Sequence, residues 1–313
     1  MPFDFAAVSA PFRMQPGLRR MAADANHLTP NRIGDRTLDE KLDVLQRWPA
    51  DALVVADGFD PRAALSTLCA KAAQEHPAAF AWDGEAIARA PLLGWRLHAG
   101  ELRGDGPGEI GRCLAALPHA WRLTGLLCLA FAQDFAVIDG ATARIPWIAA
   151  CLPSHWAPAQ KVGRHFADVH GPVADNQVLL AASDHLARLV TGDERWERFV
   201  WTLTRTPTLQ MHPAHIDASP WPAGAGASQL VAQAFFRTEH QTFIPVPATK
   251  QAVFTIHVES RPMAQAIDSP ARAQQLHDAL ASMTPAVLEY RGLGQARDRL
   301  LQWLAAQAAD LPK

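Results

Sequence analysis

FFRTEHQTFIPVPATKQAVFTIHVESRP, residues 235–262, reads as two β-strands joined by a turn. Both halves are rich in β-branched and aromatic residues, and the turn PVPATK carries two prolines, so the halves are expected to pair as neighbouring strands. Alternation along the first strand puts Arg237, Glu239 and Gln241 on one face and Thr238, His240 and Thr242 on the other. Three polar side chains in line are costly to bury unless they bind something or one another. That face is therefore either a site or a solvated sheet edge with an Arg–Glu pair.

Working outward, residues 196–204 alternate in the strand manner, and the Pro-, Gly- and Ala-rich run 210–229 is a long loop of the kind that is usually functional or mobile. Residues 158–169 and 177–190 carry helical patterns. FAVIDGATARIPWIAACLP, residues 135–153, predicts a hairpin about Asp139 and Gly140. Residues 123–132 are apolar throughout and suit a buried helix or strand, while the glycines of 81–108 suggest irregular structure with one short strand. Near the start, Thr37 and Glu40 form a capping-box pattern ahead of Leu38, Leu42 and Leu45 on one helical face, and a second helix is expected over 60–75. Four prolines in the first thirty residues predict an irregular arm, and the pattern from 269 to the end is helical. Helices, then mixed strands and helices, then helices imply an α+β fold around an antiparallel sheet.

Composition bounds the function. The chain has 313 residues, 49% hydrophobic and 19% charged, enough for a large core. Twenty-nine Lys and Arg against 31 Asp and Glu give no summed field to hold a polyanion, which argues against nucleic acid as a partner. The opening residues lack the basic region of a signal peptide, and the longest apolar runs fall short of the roughly 20 residues of a membrane helix, so a cytoplasmic protein without membrane contact is expected. Cys69, Cys113, Cys128 and Cys151 follow no zinc or disulfide spacing and read as buried reduced thiols. No phosphate-cradling loop, dinucleotide fingerprint, nucleophile elbow or H-E-x-x-H occurs.

Two histidine groups have chemistry in reach. His170 closes the helical pattern ahead of Gly171 and Pro172, where a rigid element would present an imidazole to a metal or a haem; the same position suits a histidine bonded to the last carbonyls of the helix. His215, Asp217 and the distant His257 follow the ligand order of a two-His-one-carboxylate iron site, which makes a mononuclear non-haem iron oxygenase an alternative, although His215 lies in a loop where it equally suits the surface.

Taken together, PSHWAPAQKVGRHFADVHGPV, FFRTEHQTFIPVP and AVFTIHVESRPM resemble the haem-dependent oxidative N-demethylase α-subunit family, in its Pro-Ser-x-Trp, Lys-x-Gly and Ile-His-x-Pro-Val pattern, its Arg-x-Glu-Arg-Gln-Thr-Leu and its Phe-Thr-Ile strand. The resemblance runs from about residue 11 to 263. It implies one haem-binding domain over 1–313: a PAS-like antiparallel sheet holding haem b, with an arm and helices to about residue 80 and closing helices from about 268. It further implies oxidation of a small secondary amine with O2, electrons arriving from a separate flavin and iron–sulfur protein. Under it, His170 is the axial ligand, Lys161 and Arg237 are candidates for the haem propionates, and Glu239 pairs with an ammonium or relays a proton; His257 joins Glu239 as a catalytic candidate. The chain departs from the family pattern at His240, at His257-Val258 and at Val200-Trp201. Those departures favour a second alternative, a PAS-like sensor of haem or a small ligand.

Overall fold

The computed structural model describes residues 3–217 and 219–309. In chain order its strands are β1 (Arg19–Arg20), β2 (Leu53–Val55), β3 (Ala81–Trp82), β4 (Ile87–Ala90), β5 (Trp95–His98), β6 (Glu101–Gly104), β7 (Asp134–Asp139), β8 (Arg144–Ala149), β9 (Trp196–Thr204), β10 (Phe235–Val246) and β11 (Gln251–Pro262). Seven form one sheet, β1-β9-β10-β11-β7-β8-β2, and β3 to β6 form a second. Their pairs are antiparallel throughout, so the expected α+β class holds. The long hairpin β10–β11 runs in register from Phe235↔Pro262 to Val246↔Gln251. Because β9 flanks it on one side and β7 on the other, β10 is an inner strand and the sheet-edge reading of its polar face is excluded.

Both faces of the large sheet are covered. Ile244, Val253 and Val137 pack in one core with the helices Arg36–Arg47, Arg62–Glu75 and Arg122–Ala130, whose apolar stripes include Leu38, Leu42, Leu65, Leu68, Leu126 and Leu127. On the opposite face Ala136, Ile138, Phe243 and Phe254 meet Val162, Val169, Ala187 and Val190 from the segment between β8 and β9. Trp201, Leu203 and Phe236 are buried under the closing helices Pro270–Ala281, Pro285–Tyr290 and Arg297–Ala309 together with Phe3, Phe5 and Phe12 of the N-terminal arm. No helix among the described residues is long and apolar enough to cross a membrane.

Several local expectations need correction. Residues 81–104 form a four-stranded meander rather than one short strand, with Gly94 and Gly100 at positive φ in its turns. The helix 37–48 starts at Arg36 behind Asp35, and Glu40 does not complete a capping box: it accepts from Arg36 Nε and from the backbone N–H groups of Leu209 and Gln210. Its inward face also buries Lys41, whose Nζ lies 3.0 Å from Asp134 and donates to the carbonyls of Phe131 and Gln133. The region 158–169 is mostly not helix. A 3-10 turn (Pro158–Gln160) leads to residues 163–166, which bond along β8 through Gly163 N–H to Ile145 O, Ile145 N–H to Arg164 O and Phe166 N–H to Ala143 O; only Phe166–His170 is helical.

Candidate cofactor site

Directly paired residues of antiparallel strands share a face. Register therefore places Thr202, Val200 and Arg198 of β9 beside Arg237, Glu239 and Gln241 of β10, with Ser260, Val258 and Ile256 of β11 on their other side. Arg237 is 1% exposed, and protein oxygens take four of its five N–H donors. Nε donates to Ser154 Oγ (2.9 Å), Nη1 to Thr208 O (3.1 Å), and Nη2 to Leu152 O (3.3 Å) and Leu209 O (2.8 Å). Ser154 Oγ in turn donates to one oxygen of Glu239, and Gln241 Nε2 donates to the other. The Glu239 carboxylate is thereby held in one orientation over the sheet. Burial draws the Arg237 pKa down to about 10, still far above neutrality.

The wall facing this floor is the segment from β8 to the helix Phe166–His170. A parallel bridge between Ser154 and Met211 fixes its start, and its end is capped by Asn176, whose side-chain N–H groups reach the His170 and Gly171 carbonyls at 3.0 and 2.7 Å. Lys161 Nζ sits 4.6 Å from the centre of the Trp156 ring, and burial lowers its pKa to about 8 against the opposing pull of Glu239. His170 is half-buried. Desolvation brings its pKa down to about 4; the Phe166 carbonyl works against this, and the charges of Lys161 and Arg198 work with it. The ring is thus neutral at pH 7. Its Nδ1 lies 2.8 Å from Phe166 O, and because a carbonyl can only accept, Nδ1 carries the proton and Nε2 keeps its lone pair. The bond goes to the first carbonyl of the short helix rather than to its last ones, and ligating histidines usually anchor their second nitrogen in the same way.

Lys161, His170 and Glu239 are therefore brought to one side of the sheet. Arg237 and His257 stand apart from that group. Protein oxygens take four of the five N–H donors of Arg237, which leaves a single Nη1 N–H and no fork to offer a propionate. His257 pairs with His240 and so lies on the opposite face from Glu239; the alternation of a strand separates residues an odd number of positions apart. The iron triad is not assembled either. His215 bonds Asp51 (2.7 Å) and stacks on Trp48, Asp217 bonds Arg205 and Ser219, and no group of three metal-binding side chains occurs among the described residues. Arg198 and Ser154 were missed. Arg198 was legible from the same alternation once β9 and β10 are paired in register, whereas Ser154 reaches Glu239 across 85 residues of chain, a contact no local pattern encodes.

In this α+β protein one covered sheet face gathers a neutral, anchored imidazole, two cations without bonded partners and a fixed carboxylate. The sequence adds the particular family: the description haem-dependent oxidative N-demethylase, alpha subunit-like, matches residues 118–301, more than half of the chain, and the chain belongs to that family. The match begins beyond the β3–β6 meander and takes in both the floor and the wall of the site.

Proposed function

We propose that this face holds a b-type haem with His170 as its axial ligand, and that the protein oxidises the N-methyl group of a small secondary amine. The carrying observation is His170, which is neutral, tied through Nδ1 to Phe166 and left with a lone pair on Nε2. The donor set fits the group, since two carboxylates require cations and both Lys161 and Arg198 act on the His170 position. The order β8-β7-β11-β10-β9, in which the first hairpin of the stretch sits beside its last strand, supports the PAS-like reading of the sheet.

When bound, haem would supply oxygen activation, with two electrons from a separate flavin and iron–sulfur donor. The chain's own residues bind and orient the amine. Glu239, pinned by Ser154 and Gln241, accepts an N–H of the substrate ammonium and thereby turns one methyl group towards the reacting centre. Arg237 fixes Ser154 and so acts on the carboxylate through it. In balance, the secondary N-methyl amine, O2, two electrons and two protons give the primary amine, formaldehyde and water, the oxidised methyl leaving from a carbinolamine. Glu239 is the group placed to move the proton between nitrogen and solvent.

The test is an absorption spectrum of protein expressed with a haem precursor, wild type and His170→Ala, followed by formaldehyde release from secondary amines with an added reductant. A Soret band lost or shifted in His170→Ala supports the reading, as does Glu239→Gln that keeps the band and loses about a hundredfold in kcat/KM. Absence of a Soret band in wild type overturns it.

A further inference from the structure

Two cations of the site feel the charge of Glu239 but have no hydrogen-bond or ion-pair partner among the described residues. Arg198 makes neither a hydrogen bond nor an ion pair, and its Nε is closed to solvent as well as to partners. Lys161 rests on Trp156 and donates to no oxygen. Ser260 Oγ, on β11 beside Arg237, is likewise buried without a partner. Both side chains are half-buried, and holding an unpaired guanidinium and ammonium there costs the fold part of their hydration, so an anionic ligand is the economical explanation. The local charges agree. Lys161, Arg198 and Arg237 share Glu239, while the other carboxylates acting on Arg237, Glu40 and Asp134, are paired with Arg36 and Lys41, which leaves an excess of two positive charges; because Arg237 and Glu239 are held by protein partners, the excess resides on Lys161 and Arg198.

We infer that Lys161 from the wall and Arg198 from the floor form a two-point clamp, one cation for each carboxylate of the porphyrin, while Arg237 is a positioning residue of the floor. The clamp rests on the haem reading and assigns how this chain tells a free porphyrin diacid from an uncharged one. It also carries a consequence for the empty protein. Arg198 is kept for its ligand at the expense of the fold, so removing its charge relieves the apoprotein while weakening the complex.

Apoprotein of wild type, Arg198→Met, Lys161→Met and Arg198→Lys is titrated with haem and with haem dimethyl ester, following the Soret band, and the thermal midpoint of each apoprotein is recorded. The clamp predicts that wild type prefers haem over its ester by at least tenfold. Each Met variant should lose about tenfold or more for haem and little for the ester, and Arg198→Lys should recover part of the loss. Apoprotein carrying Arg198→Met should melt at or above wild type. A wild type that shows a Soret band but binds diacid and ester alike, Met variants that bind haem as wild type does, or an Arg198→Met apoprotein that melts well below wild type would overturn the clamp and leave the haem reading standing. A wild type that binds neither porphyrin removes both.

Discussion

His170 and His257 are neutral for the same reason, desolvation, which carries the first to about pH 4 and the second to about 3 from an ordinary 6.5. In the unfolded chain both titrate near their ordinary value, so between about pH 6.5 and 4 the unfolded state binds more protons than the folded one, and stability falls as pH falls. Urea midpoints measured without cofactor should therefore drop from pH 7 to pH 5. His257→Asn, which removes one of the two groups, should flatten that slope, and an unchanged slope would show that His257 titrates normally. Arg237 answers to geometry rather than titration. Its planar fork serves Ser154, Thr208, Leu152 and Leu209 together, and an ammonium has neither the shape nor the reach. Arg237→Lys should cost about 2–4 kcal/mol by chemical unfolding, with several buried carbonyls left unpaired.

Among the elements, the β3–β6 meander depends on backbone that side chains would block. Gly100 takes φ +81°, and a Cβ there would lie 2.0 Å from His119 Nε2. Gly100→Ala should destabilise by about 1–3 kcal/mol and leave the Soret band untouched, because the meander contributes nothing to the floor or wall; calorimetry beside the absorption spectrum checks both. The same glycines explain a misreading, for they punctuate three tight turns between strands of two to four residues, too short for alternation to register. The strands β7 to β11 were legible because long alternating runs leave no rival period, and the stripes of Leu38, Leu42 and Leu45 or Leu300 and Leu304 likewise. The wall segment 158–170 was not. Its apolar residues suit a helix, and only the competing bonds to β8 hold 163–166 extended. Among the candidates, His170, Lys161 and Glu239 came from motif and alternation, while the occupation of the Arg237 donors by loop carbonyls depends on tertiary placement that spacing does not carry.

Across the whole molecule, the Lys41–Asp134 pair joins the first helical layer to the central sheet. Lys41 is fully buried, and the second oxygen of Asp134 accepts from Leu152 N–H at 2.6 Å, so one ion pair spans a helix, the start of β7 and the loop leading into the site. Lys41→Met should cost about 3–5 kcal/mol by leaving a buried carboxylate uncompensated, and the double variant with Asp134→Asn should cost less than the sum of the two single changes; strict additivity in the cycle would show that the pair is not coupled. Arg237 has a different consequence, one of timing. Its partners lie 28 to 85 positions away, and all of them precede it in the chain, as do Lys161 and His170. During synthesis the wall therefore leaves the ribosome before β9, β10 or β11 has emerged to lie opposite it. On the proposed haem reading, a porphyrin meeting the nascent chain finds half a site, so loading follows the emergence of the last strand of the sheet.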